Sequence, residues 1–293
     1  MKALQDKVAL VAGATRGAGR GIAIELAEAG AITYVTGRST KAARSPMNRA
    51  ETIEETAELI SARGGRAVAV RVDHTVPKEV AALVARIHEE QAGRLDILVN
   101  DVWGGDSLTQ WGTPFWEHDL DAGLLMQRAA VHSHLITSWH VAPLMTRRRT
   151  GLIVEVTDGI LDRYRGSLFY DLAKAAVIRL ALSQAEDLRS YDVAAVALSP
   201  GFLRSEAMLD HFGVTESTWR DAVLKDPNFA VSETPFYIGR AVVALAADPN
   251  IMARSGRALA TWNLAREYGF SDVDGTRPDW GSHARDHLGM DMG

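Results

Sequence analysis

The chain has 293 residues, 47% of them hydrophobic, and a formal net charge of -5. That is enough to bury one large α/β core, and it offers no broad basic field to nucleic acid or an anionic membrane. Cysteine is absent, which excludes disulfides, thiolate nucleophiles and zinc-thiolate sites. The opening MKALQDK lacks the apolar core of a signal peptide and no stretch approaches the ~20 uncharged apolar residues of a membrane span, so a soluble cytoplasmic protein is expected.

In chain order, residues 8–12 read as a strand, followed at once by Gly13, Gly17 and Gly19 and then a helical pattern through Ile22, Ile24, Leu26 and Ala27 that ends at Gly30. Glycine takes positive φ and carries no Cβ, so backbone N–H groups there can close on a pyrophosphate at the positive end of the helix beginning near Gly17. A plain βα turn has the same glycines, so the corner by itself leaves both readings open. Residues 32–36 form a second strand, 39–50 a basic loop around Pro46, and 51–63 a helix with an acidic start, stopped by Gly64 and Gly65. A third strand (66–72), a helix opened by Pro77, and a fourth strand (95–100) lead to a Trp-rich loop, WGGDSLTQWGTPFW.

A long helix over 119–147 comes next, then a fifth strand (152–156), a helix (169–189), a sixth strand (193–198) and a mobile-looking stretch (202–231). A helix near 237–247 precedes a last strand around 257–262. Strands separated by helices of this length impose right-handed crossovers and a parallel sheet covered on both faces, a doubly wound, Rossmann-like α/β domain. The division expected is a dinucleotide-binding domain over 1–262, with a substrate lid around 202–231, and a C-terminal extension over 263–293. That extension is polar, contains His283, His287 and Asp291, and reads as a solvated or wrapping terminus.

In an open parallel sheet the ligand lies beyond the carboxyl ends of the strands. After the second strand, where an NAD enzyme would be expected to place an acid, the chain reads YVTGRST. Arg38, with Arg16 in the glycine corner and help from Lys41 and Arg44, suits a 2′-phosphate and favours NADP(H). Asp73 either accepts from an adenine amino group or only forms a turn. Asn100 either ties neighbouring strands together or lines the cofactor cleft. In SLFYDLAKAAV, Tyr170 and Lys174 lie one helical turn apart on one face. A phenol with a pKa near ~10 is a poor acid–base catalyst at neutral pH, and a nearby ammonium favours its phenolate.

From about residue 7 to residue 262 the chain resembles the short-chain dehydrogenase/reductase family. The resemblance rests on the GxxxGxG corner at Gly13, Gly17 and Gly19, on Asp73, Asn100 and the Tyr170/Lys174 pair, and on Pro200-Gly201 followed by Ser205. It implies hydride transfer between a nicotinamide and a small carbonyl or alcohol substrate, with Tyr170 as acid or base. Lys174 would hold the nicotinamide ribose and lower the tyrosine pKa. Pro200 and Gly201 would flank the nicotinamide, Ser205 would touch the cofactor amide or phosphates, and a homo-oligomer would form through the two long helices. The spacer after Arg38 and the extended C-terminus look most like the subgroup that includes dehydrogenase/reductase SDR family member 1 and its bacterial relatives.

Two departures stand out. Asp158 falls where the family usually has a substrate-binding serine, with Thr157 just before it, and Ala130 falls where an asparagine often supports a relay water. Asp158 is then a protonated donor, or points away while a group such as Thr157 donates, or selects a substrate with a hydroxyl or cationic partner. His132 and His134, two residues apart, read as ordinary helix-surface residues, and a metal site is unsupported. Trp103, Trp111, Phe115 and Trp116 fall at the expected substrate mouth as pocket walls or a subunit contact. Phe202, Met208, Leu209, Phe212 and Trp219 suit an apolar lid. The function expected is an NADP(H)-dependent oxidoreductase, the alternative a catalytically impaired dinucleotide-binding sensor or scaffold.

Overall fold

A computed structural model describes residues 2–44, 47–161 and 163–290. Pro46 and Asp291, singled out above, lie outside the described residues. The strands are β1 (Val8–Ala12), β2 (Ile32–Gly37), β3 (Arg66–Arg71), β4 (Ile97–Asn100), β5 (Gly151–Val156), β6 (Val193–Ser199) and β7 (Ala258–Ala260). They form one parallel sheet in the order β3-β2-β1-β4-β5-β6-β7. Helices cover both faces, which is why the central strands are continuous apolar runs: all of β6, VAAVALS, is buried. On one face α1 (Gly17–Glu28) packs Ile22 and Leu26 into a layer with Ile238, Val242 and Leu245 of α8 (Pro235–Ala247). On the other, Val80, Leu83 and Ile87 of α3 (Pro77–Glu90) meet Val141 and Leu144 of α5 (Ser133–Arg148).

Strand order reverses between β1 and β4, so a crevice opens at their carboxyl ends. Gly13 shapes its rim. Its φ is +92° and a Cβ there would lie 2.4 Å from the Asp101 carbonyl oxygen, so only glycine fits. The helix expected over 51–63 is α2 (Ile53–Ala62), its start set by a Thr52/Glu55 capping box.

Three expectations need correction. The helix over 119–147 is not uniform: α4 (Leu120–Gln127) passes through a π-helical segment, Arg128–His132, into α5. Ala129, within that turn, lines the cleft. The last strand stops at Ala260, and Thr261 and Trp262 open α9 (Thr261–Tyr268). The stretch 202–231 is folded, with α6 (Leu168–Leu188) behind it in sequence and α7 (Glu206–Phe212) inside it. It has a small core of its own, Trp219, Ala222 and Phe229, against which Phe202, Met208, Leu209 and Phe212 pack. Arg204 is buried at its base, donating to the Ser232 carbonyl and to Glu216.

The tail wraps rather than dangling in solvent. Asp272 is buried and accepts hydrogen bonds from the Thr234 N–H and hydroxyl at 2.8 and 2.5 Å. Beyond it, α10 (Trp280–Leu288) sets the Trp280 ring 5.8 Å from Phe202.

Candidate active site

A cleft of about 620 Å³ runs along the carboxyl ends of the strands, a volume typical of ligand sites. Gly13, Arg16, Gly17, Arg38, Asp73, Asp158, Tyr170, Lys174, Pro200, Gly201 and Ser205 all line it. Gly19 and Asn100 lie just behind. Gly19 is packed so closely on Gly13 that a Cβ would come within 2.2 Å of the Gly13 oxygen. Asn100 is fully buried and its amide donates to Ser138 Oγ at 2.9 Å and Glu155 Oε1 at 3.0 Å. It ties β4 to β5 and α5, and the cleft-lining role is not realised.

At one end the Arg38 guanidinium lies 3.7 Å from the Asp73 carboxylate. Burial alone would raise Asp73, but hydrogen bonds from Thr75 and the charge of Arg38 hold it below the usual carboxylate range. Arg16 reaches the same end beside Met47. Lys41 and Arg44 do not help: Lys41 pairs with Glu58 of α2, Arg44 is exposed, and neither lines the cleft. In the middle stands a residue that no sequence motif marked. Glu206, the first residue of α7, accepts from the Gly17 N–H at 2.8 Å and lies 3.7 Å from Arg20. A carboxylate thus sits on the positive terminus of α1, where an anion is favoured.

At the other end Tyr170 and Lys174 project from α6. The phenol donates to Asp158 Oδ2 at 2.7 Å, so Asp158 does not point away. Thr157 is no substitute, because its hydroxyl is committed to the Lys174 carbonyl at 2.8 Å. The Lys174 ammonium lies 4.0 Å over the Trp103 ring, and Trp103 and Trp111 pack 5.5 and 5.2 Å from the Tyr170 ring. Phe115 and Trp116 are exposed and away from the cleft lining, so of their two expected roles the pocket wall falls away and the subunit contact stands open.

The lowered tyrosine pKa expected from Lys174 also needs correction. Burial, and then the charge of Asp158 and its hydrogen bond, push the Tyr170 phenol well above its ordinary value. Burial moves Lys174 downward, against the pull of Asp158, Asp101 and Asp106.

Asp101, one residue past Asn100, also emerges only in the folded chain. Burial raises it to about 7, although Lys174, His134 and the Gly19 N–H favour its charge. His134 is buried rather than superficial, bonded to Glu155 at 2.8 Å and facing the Val102 carbonyl at 3.2 Å; His132 is exposed as expected. Behind Gly201, buried Glu233 accepts from the Gly201 N–H at 2.9 Å and the Thr261 hydroxyl at 2.6 Å, and burial pushes it up to about 8. Trp280 completes that wall from the C-terminal segment.

The cleft fits a dinucleotide. The glycine corner leaves no room for a Cβ at Gly13, a helix terminus already attracts an anion, and two arginines stand at the end opposite the Tyr170/Lys174 pair. A family model described as short chain dehydrogenase matches residues 7–212. The chain is 37% identical over 276 residues, 93% of its length and 85% of the relative's, to dehydrogenase/reductase SDR family member 1 of Mus musculus. It is 30% identical over 204 residues, 68% of its length and 76% of the relative's, to a 3-oxoacyl-(acyl-carrier-protein) reductase of Staphylococcus aureus. A short-chain dehydrogenase structure from Mycobacterium thermoresistibile superposes with a TM-score of 0.77 at 25% identity, covering 95% of this chain and 92% of that one.

Proposed function

Because the chain belongs to the short-chain dehydrogenase/reductase family, we propose that it is an NADP(H)-dependent oxidoreductase that interconverts a small carbonyl and its alcohol. The observation that carries this reading is the Tyr170 hydroxyl, 2.7 Å from Asp158 and one helical turn from Lys174, on the cleft that begins at the glycine corner. A nicotinamide dinucleotide bound there supplies or removes a hydride at the substrate carbon. Arg38 and Arg16 hold a 2′-phosphate, Asp73 meets the adenine side, and the α1 terminus at Gly17 takes the pyrophosphate. Pro200, Gly201 and Ser205 face the nicotinamide end, with Glu233 fixing the Gly201 backbone from behind.

In reduction Tyr170 gives its proton to the carbonyl oxygen, and in oxidation it takes one from the alcohol. Lys174 holds the ribose and offsets negative charge arising on the phenol oxygen. Asp158 orients the phenol from the place the family gives to serine. The lid over 202–231 and Trp280 exclude water. Exposed Leu120 and Leu124 of α4, Leu135 and Trp139 of α5, and Leu172 of α6 supply an apolar face on which a second copy would pair.

The test is oxidation of NADPH across a carbonyl panel, with Tyr170→Phe as control. NADPH binding without turnover of any carbonyl or alcohol would favour the sensor or scaffold instead.

A further inference from the structure

At the reacting end of the cleft, acids outnumber bases. Asp101 lies just beyond β4, Asp106 in the loop after it and Asp158 just beyond β5; all three line the cleft, and Lys174 is the ammonium facing them. Arg165 is already matched, since its guanidinium donates to the Asp158 carbonyl at 2.6 Å and pairs with Asp171 at 2.9 Å. His134 is likewise matched by Glu155. Arg38 faces Asp73 at 3.7 Å, and Arg16 is shared among the charges of Glu51, Asp106 and Glu206, so Asp158 is the acid that Lys174 chiefly faces.

Aromatic faces surround the same point. Trp103 already carries one cation, Lys174, and is held in place by its own indole N–H bond to Asp106 at 2.6 Å. Trp111 lies against Tyr170 and is 58% exposed. Carboxylates and indole faces together recognise an organic cation. A neutral ketone would gain from the indoles but would bring no positive charge to Asp158, whose hydrogen bond from Tyr170 opens as the phenol turns to the carbonyl oxygen.

Resting on the reading of Tyr170 as the acid or base, we propose that the substrates are cationic: amino ketones and amino alcohols whose ammonium sits one carbon from the reacting carbon. Asp158 holds the ammonium while Tyr170 holds the oxygen. The 2.7 Å between the carboxylate and phenol oxygens matches nitrogen and oxygen carried on neighbouring carbons. In reduction a new C–H bond forms with the hydride, the C=O π pair takes the Tyr170 proton, the coenzyme is oxidised, and the ammonium stays protonated throughout.

The test compares two matched pairs at mildly acid pH: aminoacetone with butanone, and acetonyltrimethylammonium with its carbon isostere neopentyl methyl ketone. The cation of each pair is expected to have the higher kcat/KM, by about tenfold or more. Asp158→Asn should bring both ratios to within about twofold, and the exposed Asp106→Asn should lower them part of the way. Independently of turnover, acetonyltrimethylammonium should quench tryptophan emission of the parent protein with a Kd that Asp158→Asn weakens. Equal or neutral-favouring ratios, or quenching indifferent to both aspartates, overturn the proposal while leaving the oxidoreductase reading intact. Aspartate-dependent cation binding with no turnover of any carbonyl leaves the cation site standing and removes the oxidoreductase reading.

Discussion

Glu206→Gln should tighten coenzyme binding. In the protein the Glu206 carboxylate holds the Gly17 N–H at 2.8 Å, and a pyrophosphate seated on the α1 terminus needs that same donor. Two negative charges ~4 Å apart repel by about 4 kcal/mol at an effective dielectric of ~20. Glu206 is 29% exposed and lies 3.7 Å from Arg20, so screening and the ion pair reduce the net effect to about 1–2 kcal/mol. Glutamine keeps the shape and a carbonyl acceptor but removes the charge. The expected gain is about tenfold in NADPH affinity, largest at low salt and shrinking as ionic strength rises. Isothermal titration of the parent and of Glu206→Gln at two salt concentrations measures it. Glu58→Gln removes a charge from α2, outside the cleft, and should change nothing. Unchanged or weaker binding by Glu206→Gln, or an equal gain in Glu58→Gln, would refute the idea that this carboxylate competes with the coenzyme.

Tyr170→Phe should abolish turnover with coenzyme affinity nearly intact, whereas Lys174→Ala should damage both, as steady-state kinetics and coenzyme titration would show; retained activity in Tyr170→Phe removes the mechanism. Arg38→Asp should move preference from NADP(H) toward NAD(H) by about tenfold or more, the value of a charge-assisted phosphate contact; equal binding of both coenzymes by the parent would contradict the assignment. Stability should also fall as pH rises. Glu233 keeps its proton in the folded chain up to about pH 8, against 4.5 as its ordinary value. The stability this gives is full below about pH 4.5 and is lost as pH climbs through about 8, on the order of a few kcal/mol. Thermal melts between those limits should slope downward for the parent and flatten for Glu233→Gln, and parallel slopes would show that Glu233 does not titrate as described.

What is periodic or sterically forced was legible in the sequence. Apolar runs marked all seven strands to within about two residues, apart from the overrun at β7. Gly13 announced a backbone that only glycine adopts. The Tyr170/Lys174 spacing placed both groups on one face, because helix geometry fixes where residues four apart point. The family resemblance put Asp158 at the usual serine position, but only the fold decided among its possible roles by turning it onto the Tyr170 hydroxyl at 2.7 Å. Cap and turn chemistry was read less well. The Thr52/Glu55 box and the π turn at Arg128–His132 escaped a reading based on apolar period alone.

Other features were decided only when distant segments came together. Glu206 reaches Gly17 across 189 positions, and Trp280 reaches Gly201 and Phe202 from a tail with no period to betray it. No local pattern encodes such meetings, since they depend on how α7 and α10 dock on the sheet. Charge state is subject to the same limit. The sequence put an ammonium near Tyr170 and suggested an easier phenolate, but burial and the Asp158 charge shift the phenol the other way. The balance between desolvation and a neighbouring charge depends on solvent access and distances of a few ångströms, which only the folded chain sets.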